Sequence, residues 1–240
     1  MLRSLTDEEQ QAIQWADQQD VDIISMSFGF AEYDLSIAKA IEAVHARRGG
    51  SVIFVASAGN SLYEPEKFPA RHPFVIPIYA TDRYGTFAKS NPSLRSEAGL
   101  VFGTYGDQLP SRFVDDYGKI CQPGSSVATA IAAAIAAAIA ANMLTYIESL
   151  PLVKLAVLDD EVEMEQEMER RRERLLSLQK VRTKDGMSGL FNRMAPDKTH
   201  PRQRWICPVW FWHDRPHDAQ RETALLEVAS DVRTVVSLRN

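Results

Sequence analysis

The chain has 240 residues, of which 45% are hydrophobic, enough for one large domain or for one domain with an appendage. A net charge of -5 and the lack of a basic patch interleaved with aromatic residues argue against a nucleic-acid partner. Cys121 and Cys207 suggest neither a disulfide framework nor a zinc site, and residues 1–10 lack the apolar core of a secretory signal. We therefore expect a cytoplasmic protein in a reducing environment.

Helices and strands alternate along the first half of the chain. Thr6 and Glu9 form a capping box, which predicts a helix over residues 7–18, and a second, amphipathic helix is predicted over residues 34–47. Apolar runs predict strands over residues 21–27, 51–56 and 74–80, with a short fourth strand over residues 100–102. Pro77 is unusual for a strand because it lacks an N–H group. The alternation predicts an α/β fold with a mainly parallel sheet and helices on both faces.

The alanine- and isoleucine-rich run over residues 127–142 predicts a buried helix. It is shorter than the roughly 20 residues that a membrane span needs, and alanine contributes little apolar area. We therefore expect no membrane partner.

The composition changes after Pro151. Residues 159–174 are acidic and then basic, which predicts a solvated charged helix, or one that packs its leucines on the core. Residues 192–218 have no periodicity and predict a loop held by aromatic anchors such as Trp205, Trp210 and Trp212. We therefore divide the chain into a domain of residues 1–150 and a C-terminal helical and irregular appendage of residues 151–240.

The turn Gly124–Ala130 stands directly before the alanine-rich helix and carries Ser125 and Ser126. A serine in the first turn of a helix lies among backbone N–H groups that have no partner within the helix, where an oxyanion would be stabilised. The simpler interpretation is that one of these serines is only an N-cap. Other segments of the chain must distinguish the two.

Separated segments supply that context. They are Asp22–Gly29, Val52–Asn60, Phe68–Asp82 and Gly124–Thr129. Together, and in this order, they resemble segments of the subtilisin-like serine proteases, the subtilase or peptidase S8 family. The residues after Ser126 are most similar to multidomain subtilase-like proteins of filamentous fungi.

The resemblance implies a role for each matched segment. Ser126 would be the nucleophile, and the amide of Asn60 would donate into the oxyanion hole. The primary substrate pocket would be lined by Ser25, Ser27, Phe28 and Gly29. These types suit the chemistry, because a serine hydroxyl needs a base and its tetrahedral oxyanion needs preorganised donors.

The matched region, about residues 8–148, corresponds to the C-terminal half of a subtilase domain. The family places its aspartate and histidine upstream of the segment matched by residues 21–29, and neither has a counterpart here. The predicted fold is therefore incomplete on its N-terminal side. Its first strand would expose an apolar edge where a neighbouring strand is missing.

These observations predict a serine-type endopeptidase that acts on polypeptides and whose aspartate and histidine lie outside this chain. The missing N-terminal half, or another domain of a longer protein, would be its partner. The alternatives are a pseudoprotease or peptide-binding module without turnover, and a truncated remnant. No cofactor is expected; the family often uses calcium, but no acidic loop in the chain identifies a site for it.

Overall fold

A computed structural model describes residues 5–94, 99–108, 124–149, 165–166, 168–169, 172, 179–196 and 200–208. Most of the charged helix predicted over residues 159–174 lies outside these ranges, as do Trp210, Trp212 and Cys121.

Five parallel strands form one sheet in the order of the chain. They are β1 (Ile23–Met26), β2 (Ile53–Ser57), β3 (Val75–Thr81), β4 (Val101–Tyr105) and β5 (Gln203–Trp205). Because each strand pairs with the next one along the chain, the carboxyl ends of β1 to β4 share one edge of the sheet. The predicted α/β fold with a mainly parallel sheet is confirmed.

Helices cover both faces of this sheet. On one face α1 (Leu5–Gln18) and α2 (Leu35–Arg47) share a buried cluster with Ile24, Met26 and Phe54. On the other face α3 (Ser125–Ser149) and α4 (Lys184–Arg193) share a cluster with Val55 and Ile78. Alternate residues of each strand point to opposite faces, so a two-sided core follows from the apolar runs in the sequence.

Local signals in the sequence place both ends of α2, whereas α1 begins at Leu5, so Thr6 lies inside it, and α3 continues to Ser149, beyond the predicted end at residue 142. The carboxylate of Asp34 accepts the N–H groups of Ser36 and Ile37, both at 2.9 Å, and so caps the start of α2. Gly49 and Gly50 follow its last turn with φ of 57° and 78°. Such positive values are costly for residues with a Cβ, so the two glycines allow the chain to turn back into β2.

Pro77 lies inside β3 without breaking the ladder. Ile78 accepts a hydrogen bond from the N–H of Ala58 on the β2 side, so the preceding residue faces β4. Pairing of β3 with β4 begins only at Ile78. The nitrogen of Pro77, which carries no hydrogen, therefore lies just before the first residue of β3 that pairs with β4, where a backbone donor would be needed.

The loop predicted over residues 192–218 is wrong for the segment that forms β5. Gln203–Trp205 pairs with Val101–Gly103, and the N–H of Ile206 donates to the carbonyl oxygen of Gly103 at 2.8 Å. Ile206 is 1% exposed and lies in the same cluster as Phe102 and Phe191. Described residues beyond the predicted boundary at residue 150 thus share the main core, while the boundary itself stays a prediction.

Within the described residues no helix has the length and apolar character that a membrane crossing requires.

Candidate active site

Ser126 lies in the first turn of α3, beside the carboxyl end of β1. Its Oγ donates to the carbonyl oxygen of Ser27 at 3.1 Å, and the Ser27 hydroxyl donates to the carbonyl oxygen of Ser126 at 3.0 Å. Ser126 is half-buried and Ser27 is exposed. This reciprocal pair joins the start of α3 to the residue that follows β1, with the Ser126 hydroxyl at the surface.

Asn60 follows β2 and contacts the same helix start through its carbonyl group. Its Oδ1 accepts the N–H of Ser125 at 2.7 Å and also lies 2.9 Å from the Ser125 hydroxyl. Because the backbone N–H of Ser125 can only donate, it requires the oxygen side of the amide, and Nδ2 is left to donate elsewhere; no described residue accepts from it. The N–H of Ser126 likewise has no acceptor among the described residues. Two N–H donors beside Ser126 therefore have no acceptor among the described residues.

Buried hydroxyl groups form a hydrogen-bond network around the start of α3. Ser125 is fully buried, and its Oγ lies 2.5 Å from the Oγ of Ser57 and accepts the N–H of Gly59 at 3.1 Å. Thr129, also fully buried, donates to the carbonyl oxygen of Ser125 at 2.7 Å. Among the described residues neither serine hydroxyl accepts an N–H of α3, so the capping interpretation is not confirmed for either serine. Ser125 is buried, whereas Ser126 is the serine that reaches the surface.

Ser57 and Thr129 were not among the predicted site residues. Ser57 is the last residue of an apolar strand, and Thr129 lies one helical turn after Ser125, which is the signal that could have identified them.

Position 124 has no room for a side chain because Asn60 occupies the space beside it. A Cβ on Gly124 would lie 2.7 Å from Nδ2 and 2.8 Å from Oδ1 of Asn60. The N–H of Gly124 donates to the carbonyl oxygen of Gly106 at 2.7 Å, which fixes the turn against the end of β4. The matched motif thus has glycine at this position because a larger residue would clash with Asn60.

The predicted substrate segment lies on the exposed side of the site. Ser25 is exposed on β1, Ser27 contacts Ser126, and Phe28 is half-buried with its ring 5.9 Å from that of Phe30. Gly29 is exposed and follows directly. The structure thus brings Ser27, Asn60 and Ser126 together at the start of α3. Phe28 and Gly29 follow Ser27 in the chain. No described contact joins Ser25 to Ser126.

The described histidines make their contacts away from Ser126. His45 stacks on Phe74 with ring centroids 3.7 Å apart, and the Nδ1 of His72 accepts the N–H of Phe74 at 3.2 Å. The Nδ1 of His200 accepts backbone N–H groups of the β5 turn. Among the described residues no imidazole contacts Ser126. His213 and His217 lie outside the described residues.

His72 is buried as a neutral ring. Burial lowers its pKa below the ordinary value of 6.5, and the carboxylate of Glu42, whose Oε1 lies 3.8 Å from Nε2, offsets only part of this effect. The ring can therefore serve as the acceptor for Phe74 at neutral pH.

The described residues contain no group of three histidine, cysteine, aspartate or glutamate side chains that could hold a metal ion.

Comparisons with known proteins identify the family and the fold. The model of the subtilase family, peptidase S8, matches residues 3–147. The solved structure of the prenylagaramide maturation protease PagA is 22% identical, with a TM-score of 0.50 over 61% of this chain and 53% of that chain. A mutant of the protease domain of PatA is 17% identical, with a TM-score of 0.52 over 92% of this chain and 64% of that chain. No curated protein gives a significant match.

Fold and site together define an α/β protein with a surface serine at the start of a sheet-covering helix and an asparagine amide beside it. Since the family model covers more than half of its residues, this chain belongs to the subtilase family. The likeness to the solved structures, at these identities, shows the fold, and the family supports serine peptidase function in general. The chain spans 53% and 64% of the length of those two structures.

Proposed function

We propose that this chain is the nucleophile-bearing half of a serine endopeptidase domain, with Ser126 as nucleophile and Asn60 as oxyanion-hole donor. The observation that carries the proposal is that different groups at the start of α3 have different roles. The Oδ1 of Asn60 accepts the Ser125 N–H and so caps the helix start, which leaves the Ser126 hydroxyl, the Ser126 N–H and the Asn60 Nδ2 for chemistry.

In this proposal an imidazole from the other half of the domain accepts the Ser126 proton. The Oγ–H bond breaks as Oγ bonds to the scissile carbonyl carbon, and the carbonyl oxygen becomes an oxyanion. The Ser126 N–H and the Asn60 Nδ2 then donate to that oxyanion. The hydrogen bond from Ser126 to Ser27 has to break before the proton can be transferred.

The surface around β1 supports a partner that completes the domain. Among the described residues β1 pairs with β2 alone, so its other side presents unpaired backbone groups. The central helix α3 is apolar all round, yet Ala130, Ala134 and Ala137 are exposed. A helix of this kind is normally buried, so a further segment that covers it would be stabilising. The fungal multidomain relatives inferred from the residues after Ser126 would supply such a segment in one polypeptide.

A fluorophosphonate probe tests the enzyme proposal, because it labels only an activated serine. We expect strong labelling when the chain is produced together with the sequence that precedes it in its gene, and none when Ser126→Ala is introduced. Retained labelling in the Ser126→Ala variant, or no labelling of the folded longer protein, would contradict the proposal.

A second candidate, a peptide-binding module without turnover, is favoured by one observation. Ser126 donates to a backbone carbonyl and no described imidazole can activate it. This candidate predicts that the longer protein binds extended peptides but neither cleaves them nor reacts with the probe. Peptide binding and cleavage measured on the same sample would decide between the two.

A further inference from the structure

A cavity of about 390 Å³ opens at the surface beside the loop that follows β1. Its lining side chains are Glu32, Tyr33, Pro65 and Arg71. Small-molecule sites in proteins have volumes of about 300–1,000 Å³, so the cavity is large enough for a ligand of the size of an amino acid.

An antiparallel bridge brings the apolar part of this cavity together. Phe30 and Phe68 exchange two backbone hydrogen bonds, at 2.7 and 2.9 Å. Because the pairing is antiparallel, the residues after Phe30 run beside those before Phe68, which places Tyr33 next to Pro65. The ring of Tyr33 also packs on that of Phe68, with centroids 4.8 Å apart. Tyr33 nevertheless stays 58% exposed, so much of its ring is available for contact with a ligand.

Arg71 adds a positive charge to the cavity from the turn that follows the bridge. Its backbone N–H donates to the carbonyl oxygen of Lys67 at 3.2 Å, and its Nη2 donates to the carbonyl oxygen of Ala31 at 2.9 Å. A guanidinium group has five N–H donors, and Ala31 is the one acceptor that the described residues give it. The remaining donors have the forked geometry that suits a carboxylate.

Glu32 adds a negative charge to the same cavity. It is exposed, and its carboxylate forms neither a hydrogen bond nor an ion pair with a described residue, Arg71 included. Two opposite charges thus line one cavity without pairing with each other. A ligand that carries both a carboxylate and an ammonium group complements both charges, whereas a ligand with one charge complements only one of them.

This cavity lies apart from the candidate active site. Ser27, which contacts Ser126, precedes Phe30 in the chain, whereas Glu32 and Tyr33 follow it. None of the four lining side chains forms a described hydrogen bond with Ser27 or Ser126. The cavity is therefore a second candidate site.

We propose that the cavity binds a free amino acid with an aromatic or other apolar side chain. Arg71 binds the carboxylate of this ligand, and Glu32 accepts a hydrogen bond from its ammonium group. The side chain of the ligand packs against Tyr33 and Pro65. Because this binding needs no catalysis by Ser126, the proposal goes beyond the proposed function and does not depend on it.

Binding of four compounds to the complete chain tests this proposal. They are L-phenylalanine, N-acetyl-L-phenylalanine, L-phenylalaninamide and L-alanine. Acetylation removes the ammonium group and represents the C-terminus of a peptide, whereas amidation removes the carboxylate and represents the N-terminus. Titrations followed by NMR are made at pH 6, below the pKa of about 7.7–8.0 of an α-amino group.

We expect L-phenylalanine to bind about tenfold more tightly than either blocked form, since each blocked form lacks one charge-assisted hydrogen bond. L-Alanine should also bind more weakly than L-phenylalanine, because it lacks the ring that packs against Tyr33 and Pro65.

Two variants assign the charges of the ligand to the two residues. Arg71→Gln should weaken binding of L-phenylalanine and of its N-acetyl form about tenfold and leave the amide unchanged. Glu32→Gln should weaken binding of L-phenylalanine and of the amide and leave the N-acetyl form unchanged. Arg83→Gln and Glu8→Gln remove the same charges at exposed positions elsewhere, so they are the matched controls and should change nothing. Because each variant affects a different pair of compounds, a general loss of structure cannot produce this pattern.

Three results would overturn the proposal. Equal affinities for L-phenylalanine and its two blocked forms would exclude recognition of both charges. Tighter binding of one blocked form than of L-phenylalanine would identify the end of a peptide, and not a free amino acid, as the ligand. The same pattern of affinities in both variants as in the unmodified chain, or no saturable binding by folded protein, would exclude the cavity as the site. Labelling of Ser126 by the fluorophosphonate probe tests the proposed function separately from all of these results.

Discussion

At the residue scale, the candidate site depends on both the oxygen and the nitrogen of the Asn60 side-chain amide. The Oδ1 of Asn60 stabilises the helix start through Ser125, and its Nδ2 has no acceptor among the described residues. A single residue thus contributes both to folding and to the proposed chemistry. The two contributions can be separated because aspartate retains the acceptor and loses the donor.

We expect Asn60→Ala to lower the free energy of unfolding by about 1 kcal/mol, the usual cost of losing a helix cap. Asn60→Asp should lower it less, because a carboxylate still accepts from Ser125 and suits a helix N-terminus. Urea unfolding of both variants measures this difference.

Under the proposed function, both variants of the completed domain should lose about 100- to 1000-fold in kcat, the loss measured for an asparagine oxyanion-hole donor in subtilisin. Equal stability of the two variants would argue against the capping role. Full activity of Asn60→Asp would argue against the donor role.

His72 predicts a pH dependence of stability. Burial lowers its pKa in the folded state, so the unfolded state binds more protons near pH 6. Its contribution to stability is present above the ordinary pKa of about 6.5 and is lost as the pH falls through the lower, folded value. Glu42 is the acidic group that faces the ring, and Lys184 and His45 are the basic ones.

We therefore expect the free energy of unfolding to fall between about pH 7 and pH 5, and His72→Asn to reduce that slope. An asparagine oxygen can replace Nδ1 as the acceptor for Phe74 but does not titrate. Urea unfolding from pH 5 to 8 measures both curves. An unchanged slope in the variant would show that other groups cause the dependence.

At the element scale, β5 is, with α4, an element that sequence patterns did not identify. It has three residues and no alternation of apolar and polar side chains, so neither of the usual strand signals is present. It forms because β4 offers an edge, because the ring of Trp205 covers Gly85, and because Ile206 enters the core. Helices α1 and α2 and strands β1 to β3, by contrast, have caps or apolar runs that can be read locally.

Replacing Ile206 with alanine tests whether this segment belongs to the folded core. Since Ile206 is 1% exposed, we expect a loss of about 2–5 kcal/mol, the range for truncating a buried aliphatic side chain. Leu62→Ala, at a side chain that is 49% exposed, is the control and should cost much less. Equal effects of the two changes in urea unfolding would place Ile206 outside the cooperative core.

At the scale of the whole molecule, no described strand pairs with the outer side of β1. Ser25 is exposed there, and an unpaired parallel edge is a template for another chain. The same edge would receive the missing part of a subtilase domain under the proposed function. Its exposure predicts that the chain associates with itself when it is produced alone.

A lysine at this edge should prevent that association. We expect Ser25→Lys to reduce the fraction of oligomer, because a charged side chain on an edge strand opposes pairing of edges. Gln14→Lys, on the exposed side of α1, adds the same charge away from the edge and is the control. Sedimentation over a range of concentrations measures the effect. Equal oligomer fractions in the two variants would exclude β1 as the contact.

The sequence by itself determined the helices and strands with strong local signals, the parallel sheet, and the family. Periodicity and caps depend on residues close together in the chain, and the order of the motifs is read along the chain without knowledge of contacts. Only the tertiary structure decided which of the two adjacent serines is buried and which reaches the surface. It also decided that Ser57 contacts the buried Ser125, that Lys67 lies between Gly29 and Gly59, and that β5 joins the sheet. These features depend on contacts between residues far apart in the sequence, and packing of the whole core sets those distances.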